Sequence, residues 1–159
     1  MSSVGWGYDV HAFGGLGPLV LAGVIIDPDR GLAGTSDADV VAHAVCDALL
    51  GAAALGDLGQ LFPSSDPRWL GADSMALLGD VVGRFVGAGF AVLHLDVSVV
   101  AERVRIAPYR TAMRERLAAA LEVGIDRVSV KATTTDGLGF VGRDEGLAAV
   151  AVVTASGPA

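Results

Sequence analysis

Alternating apolar and polar positions divide this chain into strands and amphipathic helices separated by loops rich in Gly, Pro and Asp. Period-two runs predict strands, and apolar residues three and four positions apart predict helices. The predicted strands are 4–11, 19–26, 90–101, 127–134 and 146–154, and the predicted helices are 38–54, 73–88 and one after Pro108. This β-β-α-α-β-α-β-β order predicts the α/β class, in its α+β form, with a single mixed β-sheet covered by helices.

The strand at 90–101 shows the alternation well, which places Leu93, Leu95, Val97 and Val99 on one face. The chain has no repeat, linker or low-complexity tract. We therefore expect one domain over residues 1–159.

The chain is unusually apolar for its length. It has 159 residues, of which 52% are hydrophobic, and a mean hydropathy of +0.56. No apolar run reaches the roughly 18 residues that a membrane span needs without a charge or a Gly-rich break. The apolar excess instead predicts contacts between subunits.

Charge and cysteine content narrow the function classes further. The net charge of −7 and the lack of a basic run argue against a nucleic-acid-binding protein. An anionic small molecule stays compatible, because a metal ion and a few Arg or Lys residues reverse the local field. Cys46 is the only cysteine and is predicted to be a small buried residue. A reducing, cytoplasmic location without a signal peptide is expected.

The segment 36–59 carries an acid–His–acid row on an otherwise apolar helix. Asp39, His43 and Asp47 recur every four residues and therefore share one helical face. Either these groups satisfy one another in a buried network, or they bind a metal or a substrate.

Asp9 and His11 offer partners for His43. Two residues apart in an extended segment, they point to the same side and can converge on one ion. Two imidazoles and a carboxylate suit Zn²⁺ with a fourth position open. The alternative is that both histidines are partly buried core residues.

A hydroxyl-rich segment ends the strand near residue 134. Its three threonines, one acid and two glycines suit phosphate oxygens and a Mg²⁺-like ion, although Thr-rich runs are also ordinary strand sequence. Arg143 can pair with a phosphate or with a carboxylate. No nucleophile motif or P-loop is present, so any chemistry must rest on metals and positioning. The segment comprises Thr133, Thr134, Thr135, Asp136, Gly137 and Gly139.

These residues resemble a known family. The signature from Ser36 to Leu49 is similar to that of 2-C-methyl-D-erythritol 2,4-cyclodiphosphate synthase. The upstream segment 9–13, the downstream segment 131–135, and the shorter matches 56–59, 62–63 and 142–146 agree in order and spacing. The resemblance covers nearly the whole chain.

The resemblance implies a homotrimeric lyase with helices on one side of its sheet and active sites between subunits. Such enzymes convert 4-diphosphocytidyl-2-C-methyl-D-erythritol 2-phosphate into the cyclic diphosphate and CMP. By motif, Asp9, His11 and His43 would hold Zn²⁺, and Asp136 would bind a second divalent cation, Mg²⁺ or Mn²⁺. Thr35 and Thr134 would be the catalytic hydrogen-bond donors.

The resemblance also implies which residues bind the substrate. The methylerythritol part would contact Asp57, Leu58, Gly59, Phe62, Pro63, Ser64, Ser65 and Asp66. The cytidine and diphosphate would contact Ala101, Glu102, Arg103, Val104, Arg105, Ile106, Ala107, Thr133, Thr134 and Thr135, with Phe140 and Arg143 completing the pocket. The further residues implied to bind substrate are Asp9, Val10, His11, Thr35, Ser36 and Asp136.

Four positions depart from the family pattern. Thr35 stands where the family has a His credited with stabilising the transition state, and Arg105 stands where it has a Lys. Asp136 replaces a Glu, and Ser64 replaces an Asp. Loss of one transition-state donor costs about 10²–10³ in rate in other enzymes, so Thr35 is the departure with the largest expected effect.

Two other functions stay open at this stage. A metal-dependent phosphohydrolase would activate water at the open zinc position. A non-catalytic binder of cytidine nucleotides would explain Thr35.

Overall fold

The computed structural model describes residues 1–158. The strands are β1 (Ser2–Gly15), β2 (Leu19–Leu21), β3 (Val24–Asp27), β4 (Gly31–Leu32), β5 (Ala91–Val100), β6 (Val128–Thr133) and β7 (Gly146–Ser156). The helices are α1 (Val40–Ala52), α2 (Leu58–Leu61), α3 (Ser74–Gly87), α4 (Arg110–Ala120) and α5 (Gly139–Gly142), with 3₁₀ turns at Pro67–Trp69, Ala107–Tyr109 and Ile125–Arg127.

The main sheet is mixed and has the strand order β4-β1-β7-β5-β6. β7 is antiparallel to both β1 and β5, while β5 and β6 are parallel. The C-terminal ends of β1, β5 and β6 therefore lie at the same edge of the sheet. A separate hairpin of β2 and β3 lies outside it. The predicted mixed sheet is confirmed.

Helix α1 lies against β1 and β7 because two glycines leave room for it. Cβ atoms at Gly5 and Gly7 would lie 1.8 Å from the carbonyl oxygen of Ala48 and 1.9 Å from that of Ala44. Neither position can therefore carry a side chain without moving the helix. This close approach brings the odd-numbered residues of β1 up to α1.

The predicted strand at 19–26 is wrong in one respect, because it is a hairpin that turns at Ala22 and Gly23. Both residues have positive φ, 51° and 69°, as a tight hairpin turn requires. Their N–H groups donate to the buried carboxylate of Asp39 at 2.9 and 2.8 Å. An Ala at the first position hides the turn, because Asn or Gly is the usual signal there.

The predicted face of β5 is also wrong at one residue. A bulge between Val92 and His94 shifts the register. Leu95, Val97 and Val99 are buried as expected, whereas Leu93 is exposed.

The face of the sheet opposite α1 is apolar and uncovered in the single chain. Even-numbered residues of β1 from Val4 to Val10 form a row on this face. Trp6 is 61% exposed and Tyr8 is 43% exposed. Their rings are stacked, with 6.0 Å between the ring centroids. Half-buried Val150 and Val152 of β7 pair with Tyr8 and Trp6. An antiparallel sheet with a solvated face normally alternates apolar with polar residues, so this face has the character of an interface.

No helix within residues 1–158 is both long and apolar enough to cross a membrane.

Candidate active site

Three predicted ligands meet where β1 faces α1. Asp9 Oδ2 lies 3.2 Å from His11 Nε2 and 3.0 Å from His43 Nδ1. The side chains of Asp9, His11 and His43 are 24%, 20% and 12% exposed. Side chains alternate between the two faces of β1, so Asp9 and His11 both point towards α1. Gly7 lets α1 lie close to β1, and the two side chains therefore reach His43 on that helix.

The geometry of this cluster fits a bound cation. His11 Nδ1 lies 2.6 Å from the carbonyl oxygen of Ala33, which only accepts hydrogen bonds. Nδ1 therefore carries the proton, and the lone pair of a neutral His11 faces the Asp9 carboxylate. Two acceptors face each other favourably only with a positive charge between them, either a proton or a metal ion.

The pKa shifts agree with this interpretation. The hydrogen bond to Asp9 raises the pKa of His11, with burial acting against it. Burial acts to raise the pKa of Asp9, but its hydrogen bonds with His11 and His43 outweigh burial and lower that pKa. A carboxylate and two imidazoles are the ligand types that zinc prefers.

Asp39 and Asp47, the other members of the helical row, support the site without joining the cluster. Asp39 caps α1 by accepting from the N–H groups of Val41 and Ala42, at 3.1 and 3.0 Å, as well as from the hairpin turn. Asp47 accepts from Leu58 N at 2.8 Å and so ties α2 to α1. Both fix the backbone around His43.

A cavity of about 190 Å³ opens beside the cluster. Its walls combine the two histidines with hydroxyls and apolar groups. Eight predicted residues line it, namely His11, Thr35, Ser36, His43, Leu58, Gly59, Phe62 and Ser64, together with Trp69 and Leu77, which sequence reasoning missed.

The remaining substrate-binding residues predicted on β1 and in the segment 57–66 lie outside the cavity lining. Val10 points to the opposite face of β1 and is 40% exposed. Asp57 caps α2 by accepting from Gln60 N, and Asp66 caps the following 3₁₀ turn and pairs with Arg68. Pro63 and Ser65 flank Ser64 in the same loop.

The predicted nucleotide-binding loop, residues 101–107, follows β5 and does not line the cavity beside the cluster. Arg103, Val104 and Arg105 line a different cavity, together with Arg30. Ala101 and Ile106 are 5% and 2% exposed, so they can offer a ligand only backbone groups. Glu102 and Ala107 belong to the same loop and its 3₁₀ turn.

The hydroxyl-rich segment lies at the end of β6. Thr134 Oγ1 donates to Asp136 Oδ1 at 3.2 Å and accepts from Asp136 N at 3.1 Å. Thr133 and Thr135 are beside them, and Thr135 Oγ1 donates to Leu138 O. Asp136 is not part of the cluster formed by the three ligands.

Phe140 and Arg143 lie on and just after α5. Phe140 is 38% exposed. Arg143 pairs with Glu145, with 2.8 Å between Nε and Oε1.

Sequence reasoning missed Trp69 and Leu77 because their roles depend on chain folding. Trp69 is in a loop without an obvious sequence pattern. Its ring packs edge-on against that of Phe62, with 4.9 Å between the ring centroids. Leu77 appeared to be one more core position of α3. No local pattern distinguishes a helix residue that faces a cavity from one that faces the core.

Comparison with known proteins identifies the family. The model of the YgbB family matches residues 2–156. The chain belongs to the YgbB family. A relative in Moorella thermoacetica, named 2-C-methyl-D-erythritol 2,4-cyclodiphosphate synthase, is 57% identical over 94% of this chain and 92% of its own length.

Solved structures with similar folds agree with the family assignment. The bifunctional IspDF of Campylobacter jejuni matches with a TM-score of 0.96 and 42% identity over 99% of this chain, which corresponds to 43% of that longer protein. A structure of 2C-methyl-D-erythritol-2,4-cyclodiphosphate synthase in a CDP-bound form matches with a TM-score of 0.87 and 33% identity, over 96% of this chain and 99% of the other.

Proposed function

We propose that this YgbB-family chain is a metal-dependent phosphorus–oxygen lyase. It would convert 4-diphosphocytidyl-2-C-methyl-D-erythritol 2-phosphate into 2-C-methyl-D-erythritol 2,4-cyclodiphosphate and CMP, in non-mevalonate isoprenoid biosynthesis. The observation that carries the proposal is the meeting of Asp9, His11 and His43 beside a cavity lined by Thr35 and Ser36. The named relative from Moorella supports the same reaction.

Asp9, His11 and His43 would hold one Zn²⁺, and Asp136 would hold a second divalent cation, Mg²⁺ or Mn²⁺. When bound, such ions polarise phosphoryl oxygens and offset the charge that develops on them. The convergence of His11 Nε2 and His43 Nδ1 on Asp9 Oδ2 supports the first assignment. The assignment of the second cation to Asp136 is supported only by chemistry, because a carboxylate offers the hard oxygen that Mg²⁺ prefers.

The reaction needs no protein nucleophile. An oxygen of the substrate's 2-phosphate would form a bond to the β-phosphorus, while the bond from that phosphorus to the bridging oxygen breaks and CMP leaves with the oxygen. Holding both groups on one folded substrate makes the attack intramolecular. Phe62, Trp69 and Leu77 give the cavity apolar walls.

Hydroxyl groups would supply the remaining hydrogen bonds. Thr35 lines the cavity, where its hydroxyl would donate to the reacting phosphates. Thr134 would act in the same way at the diphosphate, with Thr133 and Thr135 beside it. The backbone of residues 101–107 would bind the cytidine, and Phe140 and Arg143 would complete the pocket.

The assembly would be a homotrimer of one-domain chains, 1–159, with active sites between subunits. Two observations support it: the uncovered apolar face of β1 and β7, and the distance within one chain between the cluster and the predicted nucleotide segments. β1 and β6 are separated by two intervening strands, or roughly 14 Å at ordinary strand spacing. A neighbouring copy could supply the nucleotide half. We place the enzyme in the cytoplasm, which fits its single buried cysteine.

Product analysis with the purified protein, substrate and divalent metal tests the function. We expect cyclic diphosphate and CMP in equal amounts. A linear phosphate product would replace the lyase with a phosphohydrolase, and CDP binding without turnover would leave a nucleotide binder.

A further inference from the structure

The second ring nitrogen of His43 faces two serine hydroxyls. His43 Nε2 lies 2.9 Å from Ser74 Oγ and 3.2 Å from Ser36 Oγ. Ser74 is fully buried and belongs to the first turn of α3, so a different helix brings its hydroxyl to His43. The proposed function assigns it no role.

Ser74 also makes a short hydrogen bond to Asp37. Its Oγ donates to Asp37 Oδ1, and its backbone N–H donates to Asp37 Oδ2 at 3.2 Å. Asp37 Oδ1 accepts in addition from Asp39 N at 3.2 Å. The carboxylate is therefore held by the backbone at the start of both α1 and α3.

Counting protons fixes the direction of this chain of hydrogen bonds. An ionised carboxylate only accepts, so the single hydroxyl proton of Ser74 points to Asp37. Ser74 Oγ can then only accept from His43, and Nε2 must carry the ring proton. The lone pair of a neutral His43 is left on Nδ1, which is the atom that faces Asp9.

We propose that Asp37 and Ser74 are positioning residues that hold His43 in the Nε2–H tautomer, with Nδ1 aimed at the cation held by Asp9 and His11. The inference rests on the proposed metal site. A hydrogen bond from the non-ligating nitrogen fixes the ring and raises its basicity, and loss of such a partner commonly lowers metal affinity 10–100-fold. The Ala33 carbonyl does the same for His11 directly.

Ser36 does not replace Ser74 in this role. Its hydroxyl oxygen is farther from Nε2 and already accepts from Ala38 N at 3.2 Å. It also lines the cavity, where substrate would compete for it.

Zinc affinity, measured by competition with a chromophoric chelator, tests the proposal without using turnover. We expect Ser74→Ala to weaken zinc binding about 10-fold to 100-fold, and Asp37→Asn to weaken it in the same direction. Asp73→Ala is the matched control: it removes the cap that accepts from Met75 N at the same end of α3 but leaves the hydrogen bonds to His43 intact. The control should bind zinc like the parent protein.

The outcomes separate this inference from the proposed function. If the parent protein binds no zinc, or if His43→Ala keeps stoichiometric zinc, the metal site itself is wrong. If the parent protein binds zinc through His43 and Ser74→Ala binds it equally well, only the positioning role is overturned. Equal loss in Asp73→Ala and Ser74→Ala would also overturn it, by showing that the helix end and not the hydroxyl matters.

A measurement on the unaltered protein avoids any folding problem in the variants. Nitrogen-15 NMR of the zinc-loaded protein reports which ring nitrogen of His43 carries the proton and which one binds the metal. We expect His43 in the Nε2–H form. A predominant Nδ1–H form would overturn the proposal.

Discussion

The two halves of the predicted site differ in how far a single chain completes them. The metal half, Asp9, His11 and His43 with their cavity, is assembled by β1, α1 and α3 and is hydrogen-bonded throughout. The nucleotide half, residues 101–107 and 133–136, lies at the ends of β5 and β6 and reaches no part of that cavity.

Under the proposed trimer, the two halves of one active site would come from two subunits. Within each chain, hydrogen bonds to the Ala33 carbonyl and the Ser74 hydroxyl hold the two histidines of the metal half. The exposed apolar face of β1 and β7 is the surface on which a second chain would dock. The predictions below test whether the two halves are independent within a chain and joined only by assembly.

The largest effect should come from His43→Ala. We expect loss of stoichiometric zinc and a fall in turnover on the order of 10³-fold, because several kcal/mol of charge stabilisation are removed. CDP binding should survive, since the nucleotide half is elsewhere. Elemental analysis and calorimetry measure the two properties. Full zinc content in the variant would refute the ligand assignment.

Trp6→Glu should dissociate the assembly while each chain keeps its metal half. Placing a charge at the 61% exposed Trp6 leaves the core of the single chain intact but disrupts an apolar interface. We expect monomers by sedimentation, normal zinc content and a loss of turnover of at least about 100-fold.

Val86→Glu is the control for that experiment. Val86 is 55% exposed on α3, away from the apolar sheet face, and its variant should stay assembled and active. An active Trp6→Glu monomer would show that one chain completes its own site.

Thr35→His should raise kcat about 10-fold to 100-fold if Thr35 supplies only a neutral hydrogen bond where the family has an imidazole. Zinc content should not change, because Thr35 lines the cavity without joining the ligand cluster. Steady-state kinetics check the rate. An unchanged kcat would mean that the threonine already supplies all the stabilisation this position offers.

The smallest predicted effect is the pH dependence of the metal half. The pKa of His11 is raised above its ordinary value of 6.5. At a pH below this raised pKa, zinc must displace a proton from the His11 ring in order to bind. Zinc affinity should therefore rise about tenfold per pH unit in that range and then level off. Chelator competition at several pH values measures it. A zinc affinity that already levels off below about pH 6.5 would contradict the raised pKa.

Zinc affinity should rise with pH, whereas the stability of the metal-free protein should fall. A raised folded-state pKa means that protonated His11 stabilises the fold below its unfolded pKa near 6.5. This contribution is lost as the pH rises through the folded-state pKa. Thermal unfolding should therefore show lower stability at pH 8 than at roughly pH 6, and added zinc should remove the difference.

Local sequence was enough to predict most elements. Helical periodicity located α1 and α3, and Pro108 marked the start of the segment that forms α4. Prediction from local sequence failed at the Ala22–Gly23 turn and at the bulge beside Leu93, where contacts with residues distant in sequence determine the backbone conformation. At Ala22 and Gly23 the carboxylate of Asp39, seventeen and sixteen positions away, stabilises the turn.

The sequence alone predicted which residues are the candidate ligands. Asp9 and His11 share a strand face by the two-residue period, and the signature around His43 is specific enough to place it with them. Only the tertiary structure decided that the three side chains lie within hydrogen-bonding distance, because this depends on the glycines that let α1 approach β1. It also brought Ser74 to His43, because a buried hydroxyl acquires its partner from a different helix and leaves no local pattern. The separation of the metal half from the nucleotide half follows from strand order, which the order of elements along the chain does not specify.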